Sequence, residues 1–195
     1  MAGRLVRALL GPLSARSLQQ KQSFLEDALE KPIASKLLTL VDDPHIPKGF
    51  ASRHYDGDGF ATKKRVINGV LRMFFIDDYY GRKLGKAPTT GSSTNMTFAL
   101  GKQGQDAIVR DIKKGVFVTG FLGGNSNGTT GDYSFGIQGF AIEGGKLGKP
   151  LSEMNISGNQ QDLWKALSVV GNDPYPYATI LTPTLVFDGI SIAGA

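Results

Sequence analysis

The chain has no cysteine among its 195 residues, only two histidines and a single tryptophan. Without cysteine there are no disulfides, no thiolate metal ligands and no cysteine nucleophile. The lack suits a reducing cytosol, so cytoplasmic residence is the expectation. Long apolar runs are also missing. The longest, Met73–Ile76 with its neighbours, is far too short to span a bilayer, so no membrane partner is expected. Nor is there a strong block of one charge. The net charge of +5 is spread along the chain, apart from Lys63-Lys64-Arg65 and Lys113-Lys114. A scattered surplus of this size reads as solubility rather than as a nucleic-acid footprint. No RNA-recognition, zinc-finger or basic-zipper pattern accompanies it, and nucleic acid is not an expected partner. His45 and His54 stand in loop-like sequence around Pro44 and Pro47, without a His-Glu-x-x-His pattern. Neither reads as a metal ligand.

What is present is glycine, 26 residues of it, alongside an ordinary 41% of apolar residues. With hairpin patterns in the sequence, that abundance predicts tight turns in a β-rich fold. Gly115–Pro150 is the organising stretch. Val116–Leu122 is an apolar run of β-branched and aromatic residues, hence a strand. A polar loop follows from Gly123 to Asp132. Tyr133, Phe135 and Ile137 then share one face of a second strand. Gly139 breaks the alternation, and Phe140 and Ile142 resume it one step out of phase, which predicts a bulge or a close backbone approach. Gly144-Gly145 supplies a two-residue turn.

Elsewhere the pattern predicts helix over residues 3–20, broken or kinked at Gly11-Pro12, with Leu5, Leu9 and Leu13 as its stripe. Arg4, Arg7 and Arg16, with no acid before Glu26, give Met1–Gln20 the composition of a transit peptide. An amphipathic helix is the preferred reading. Ser23 caps a short helix over Phe24–Leu29, with Glu26 as its capping-box partner. Leu37–Val41 is a strand. Asn68-Gly69 joins a strand at 63–67 to one at 70–76, a strong hairpin signal. Asp77-Asp78 caps a helix carrying Tyr79, Tyr80 and Leu84. Asn95–Leu100 is a strand, and Gln105–Lys114 a helix stopped by Gly115. Leu151–Ile156 is strand-like. Asn159 caps a helix over Gln160–Val170. The tail holds two β-like pieces, Thr179–Leu181 and Thr184–Phe187, followed by Gly189–Ala193. The expected fold is α+β, of antiparallel strands and hairpins with a few short helices. It forms a single domain over 1–195, with a helical segment at 1–36 and a β-rich core at 37–195.

The residues alone show no active site. Gly124-Asn125-Ser126-Asn127-Gly128 matches G-x-S-x-G, but a nucleophile elbow needs a helix after the serine, and here a strand follows. It reads as a flexible loop. It lacks the Lys-Ser/Thr ending of a phosphate cradle. Asp56-Gly57-Asp58-Gly59 lacks the EF-hand spacing and reads as a turn held by Asx hydrogen bonds. Asp42-Asp43 and Asp77-Asp78 read as turn and cap residues. Exposed strand edges would suit an extended peptide captured by strand addition.

Taken together, GVFVTGFLG, TTGDYSFGIQGFAIEGGKLGKP and NISGN resemble the C-terminal domain of the TldD/PmbA family, whose members were once described as modulators of DNA gyrase. Lys48–Ser52, Asp56–Thr62, Asn68–Leu71, Tyr79–Gly85, Val169–Asp173 and Ile190–Gly194 also fall in family order. The resemblance implies a zinc metallopeptidase acting on peptides. Its metal would be held by a His-Glu-x-x-x-His helix in or before the first residues here, and by a cysteine around Asp173–Pro183. Neither is present in this chain, and Val-Gly-Asn-Asp at 170–173 is similar to the TldE (PmbA) type. The implied role is a subunit that holds peptide and is itself non-catalytic, with zinc in a TldD-like partner and no cofactor of its own; a homo-oligomer is the other implied assembly. A catalytic metallopeptidase in a longer parent chain, and a gyrase- or nucleic-acid-binding modulator, are the alternatives. The peptide or partner loop is expected at Gly123, Gly124, Asn125, Thr130, Gly131, Asp132, Tyr133 and Ser134.

Overall fold

The computed structural model describes residues 2–194, so Met1 and Ala195, the ends of the expected domain, lie outside the described residues. The chain opens with α1 (Gly3–Leu10), a 3₁₀ turn at Gly11–Leu13 and α2 (Ala15–Gln19). Leu5, Val6 and Leu9 are buried along one stripe of α1, and Leu13 is buried below it. Each such side chain contributes about 1.5–3 kcal/mol of burial. Pro12 makes the predicted break, and Ser14 restarts the helix by accepting from Ser17 N at 3.2 Å.

Next come β1 (Thr39–Asp43), β2 (Tyr55–Asp56), β3 (Gly59–Phe60), β4 (Lys64–Asn68) and β5 (Val70–Leu71). These are followed by α3 (Asp78–Leu84), β6 (Asn95–Phe98), α4 (Gln105–Asp111) and β7 (Lys114–Phe121). The chain then forms β8 (Asn125–Ser126), β9 (Asp132–Glu143), β10 (Lys146–Asn159) and α5 (Gln160–Lys165). It closes with β11 (Leu167–Val170), β12 (Leu185–Phe187) and β13 (Ile192–Ala193). This is the α+β, β-rich architecture that the glycines and alternating runs predict.

One sheet has the order β5-β4-β1-β6, and the other β13-β10-β9-β7, with β8 also paired to β9. All named strand pairs are antiparallel. A single buried cluster joins Leu5 and Leu9 of α1, Leu40 and Ile67 of the first sheet, and Phe135 and Ile137 of the second. Trp164 of α5 is fully enclosed in the same cluster. Among the described residues no helix is long and apolar enough to cross a membrane.

Several boundaries depart from the sequence pattern, each for a physical reason. Phe24–Leu29 forms no helix: Phe24–Asp27 is a turn and Leu29 bridges Leu71. Ser23 Oγ accepts from Leu25 N, two residues on, and Phe24 N is drawn to Gly128 O at 2.9 Å. The strand at Leu37–Val41 starts two residues later, where pairing with β4 and β6 begins. The strand after Asn68-Gly69 ends at Leu71, not at Ile76. Met73, Phe74, Phe75 and Ile76 are buried on every side, and Phe75 N pairs with Leu13 O beneath the N-terminal helices. A continuous apolar run does not distinguish a strand from any other fully buried segment. The helix at Gln105–Lys114 stops at Asp111, because Lys114 is recruited opposite Glu143 into β7. The helix at Gln160–Val170 stops at Lys165, because Leu167–Val170 pairs with β12. The i, i+4, i+7 spacing of Leu163, Leu167 and Val170 mimics a helix, but Val169-Val170 suits the pleat better.

At Gly139 the outcome is a close approach. Strand β9 runs straight through, with Tyr133, Phe135, Ile137, Gly139 and Ala141 all on the buried face. The extra residues sit in its neighbours. Register slips between Val118 and Gly120 of β7, and twice in β10, between Leu147 and Pro150 and between Leu151 and Met154. A side chain at 139 would begin 1.9 Å from Phe117 O. Gly144 and Gly145 make the expected turn, with φ of +55° and +77°.

Gly139→Val is therefore expected to destabilise the fold by about 3 kcal/mol or more. Gly57→Ala, where nothing stands within 4 Å of the added carbon, should stay within about 0.5 kcal/mol. Thermal melts by circular dichroism decide it; equal melting for the two variants would overturn the close-approach account.

Candidate functional site

The stretch from Gly123 to Ser134 is an organised hairpin. The flexible loop expected there is replaced by β8, which pairs with β9 through Asn125↔Ser134 and Ser126↔Tyr133. Gly124 has φ +87°, and a side chain there would meet Ser134 O at 1.9 Å, so only glycine fits. Asn127 closes the turn: its N donates to Asp132 O at 2.7 Å and its O accepts from Gly131 N at 2.8 Å. Its Oδ1 accepts from Thr129 N and Thr130 N. The Asn and Thr residues thus fold back on their own backbone, as such residues do in turns.

Distant residues finish the hairpin. Asn159 Nδ2 donates to Thr130 O and Asp132 Oδ1, while its Oδ1 caps α5 through Gln161 N. Gln160 is fully buried and bonds Ser126 Oγ and Trp164 Nε1. From the N-terminal helix, Arg4 Nη2 donates to Gly123 O at 3.0 Å and Gly124 O at 2.8 Å. Its guanidinium lies 5.0 Å from the Phe135 ring centre and 5.7 Å from that of Phe121. None of these partners is visible from local spacing.

Of the eight expected site residues, Gly124, Asn125, Thr130, Asp132 and Ser134 are exposed on this hairpin. Gly123 is half-buried and Gly131 buried beside Asn159. Tyr133 points into the core, stacked on Phe135 at 5.6 Å. Burial, and then the negative charge of Asp162, push its hydroxyl up from the ordinary range. Ser126 of the G-x-S-x-G match lies in β8 and is followed by a turn and a strand.

Strand β7 ends at Phe121, where the hairpin begins. Its inner side pairs with β9, and among the described residues no backbone hydrogen bond reaches its outer side. The opposite margin of this sheet is different. There β13 covers β10 at Asn155 and Ile156, and the rest of β10 carries Pro150 and two register slips, which blunt an edge against pairing.

The histidines do approach each other, with ring centres 6.4 Å apart. The acids two residues from each are engaged elsewhere, Asp43 by Lys63 at 2.7 Å and Asp56 by the Thr90 hydroxyl at 2.8 Å. Among the described residues no cluster of three or more His, Cys, Asp or Glu side chains is placed to hold a metal. The Asp56 turn is held as expected, with Asp58 N donating to Asp56 Oδ1 at 2.9 Å. That bond, and the Thr90 hydroxyl, lower the Asp56 pKa.

One juxtaposition joins the two ends of the chain. A side chain on Gly3 of α1 would lie 3.5 Å from Thr182 Oγ1, in the 173–183 stretch of the tail. Sheet position enforces it, since Met96 N bonds Thr179 O and Leu181 N bonds Met96 O.

The profile of the PmbA/TldA metallopeptidase C-terminal domain matches residues 1–194. Metalloprotease PmbA of Escherichia coli O157:H7 is 33% identical over 190 residues, which are 95% of this chain and 42% of that protein. A crystal structure of a proposed modulator of DNA gyrase from Bacteroides thetaiotaomicron superposes with a TM-score of 0.95 at 42% identity, covering 99% of this chain and 45% of that one. TldE from Thermococcus kodakarensis superposes with a TM-score of 0.83 at 28% identity, covering 95% and 46%. The chain spans less than half the length of each of these relatives.

The hairpin should respond to acid. Bonds from the Thr130 hydroxyl and the Asn159 amide hold the Asp132 carboxyl below its ordinary 3.8. Its contribution is therefore fully present above about pH 4 and is lost as pH falls through the lowered folded value. Amide exchange at Gly131 and Gln160 should accelerate over that descent. In Asp132→Asn the same amides should lose this pH response; an unchanged response would overturn the assignment.

Proposed function

This chain belongs to the PmbA/TldD metallopeptidase family, as its C-terminal domain, and on that premise we propose that it is a TldE-like subunit of a peptidase complex. In this reading it is cytoplasmic, holds an extended peptide and assembles with a TldD-like partner, the partner doing the cleavage. The observation that carries the reading is the proximity of Gly3 to Thr182. It brings together the two stretches in which the family resemblance locates zinc ligands. The residues there do not fit zinc. Helix α1 offers Arg4 and Arg7, both cationic, and no histidine. The tail stretch offers one acid, Asp173, which is engaged by the Thr184 hydroxyl at 2.6 Å and by Thr184 N at 3.1 Å. Zinc wants imidazole, thiolate or carboxylate donors converging at about 2.0–2.3 Å. No step is derived through a metal on this chain.

What the chain has for a peptide is backbone. The outer side of β7 presents N–H and C=O groups spaced for another strand, and strand addition uses such groups for affinity. Its bulge at Val118–Gly120 limits how far a regular ladder can run. The β8–β9 hairpin, rigidly tied, flanks the end of that edge and would bear on peptide or partner through Asn125, Thr130 and Ser134.

The test is reconstitution. The purified chain alone should carry substoichiometric zinc and cleave no peptide. Mixed with a TldD-like partner it should co-elute, and peptide cleavage should depend on both. One zinc per chain, or cleavage without the partner, would overturn the non-catalytic role; failure to associate with such partners would overturn the subunit role. Salt-sensitive DNA binding by the same preparation would instead favour the gyrase- or nucleic-acid-binding reading.

A further inference from the structure

We propose that Arg4 is a carboxylate-binding residue at the end of the β7 edge, so that the peptide held there is read by a carboxylate. The inference rests on the reading of that edge as a peptide seat, and adds to it the chemistry of the ligand.

Arg4 is in an unfavourable place for its own helix. It stands in the first turn of α1, where the helix dipole favours anions and where no acid is present to offset it. Tertiary contacts account for it only in part. Both of its hydrogen bonds to protein come from a single nitrogen, Nη2. A guanidinium has five N–H donors in a fixed fork. Among the described residues Nε and Nη1 have no protein acceptor, and the ion pairs are Lys63–Asp43, Arg72–Glu30 and Arg82–Asp78. A half-buried cation without a carboxylate partner is thus held in one orientation, on one side by two glycine carbonyls and on another by two aromatic rings.

The location gives the unused donors a purpose. Phe121, under the guanidinium, is the last residue of β7, and Gly123 and Gly124 follow immediately. An extended chain lying along β7 therefore reaches Arg4 at that end. A planar fork pairs with a carboxylate through two parallel bonds, which a lysine cannot reproduce. Leu122, 57% exposed, offers an apolar contact to the final side chain. A peptide that meets Arg4 with its terminal carboxylate runs parallel to β7. One that runs antiparallel can meet it only with an Asp or Glu side chain. Both supply the same chemistry.

The probe is an N-terminally labelled hexapeptide of alternating threonine and valine, made as free acid and as amide, with binding followed by fluorescence anisotropy. The wild-type chain should bind the acid about tenfold or more tightly than the amide, the scale of a charge-assisted bidentate pair. Arg4→Gln should erase that preference, and Arg4→Lys should keep only part of it. Amidated peptides carrying glutamate at the first or at the last position recover the affinity if a side-chain carboxylate is accepted, from an antiparallel or a parallel peptide respectively. If neither does, the terminal carboxylate is the source. Equal binding of acid and amide by the wild type, with no gain from a glutamate at either end, overturns the carboxylate assignment and leaves the edge reading standing. Binding of neither overturns the edge reading, and the assignment with it. Should Arg4→Gln fail to fold, judged by its circular-dichroism melt, the acid–amide comparison on the wild-type chain decides alone.

Discussion

The second sheet depends on one contact, the passage of the Phe117 carbonyl through the space where a side chain at residue 139 would stand. Only with Gly139 can β7 lie flat against β9 at that point. The consequence spreads in both directions. With β7 in place, its outer edge is open and its end is delivered to the β8–β9 hairpin. With β9 straight, Tyr133, Phe135 and Ile137 all reach the core that α1 and α5 cover. The register shifts fall instead at extra residues in β7 and β10.

The hairpin after β7 is held by polar contacts that converge from three parts of the chain. Arg4 comes from the first helix, Phe24 from the turns that follow it, and Asn159 with Gln160 from the start of α5. Each satisfies a backbone or side-chain group that the hairpin cannot satisfy internally. An exposed loop of small polar residues would otherwise be among the least ordered segments. Here it is joined to the core through Trp164, which bonds Gln160, which bonds Ser126. A surface built in this way presents fixed backbone groups, as recognition of an extended chain requires.

The same packing sets the N-terminal helix beside the tail. The proximity of Gly3 to Thr182 follows from Met96 pairing with 179–181 and from α1 covering the core. The packing of α1 onto the core is carried by its buried Leu5, Val6 and Leu9.

Much of this was legible in the sequence. The Gly144-Gly145 turn, the Asp77 and Asn159 caps, the Gly11-Pro12 break and the Asp56 turn rest on the conformational limits of one or two residues, so local chemistry determined them. Alternation determined that β9 buries Tyr133, Phe135 and Ile137, and the ordered motifs pointed to the family. Local pattern failed where a partner strand decided the state. Leu167–Val170 and Lys114 had helical spacing or helix-stop chemistry, yet unsatisfied edges nearby drew them into sheets. Arg4, Asn159 and Gln160 could not be assigned to the hairpin from spacing, since their contacts close loops of 27 to 120 residues. The sequence by itself determined the turns, the caps and the buried faces, because those follow from backbone freedom and apolar periodicity. Only the tertiary structure decided which edge of the sheet stays open and which cation stands at its end, because both depend on where distant backbone groups find their hydrogen bonds.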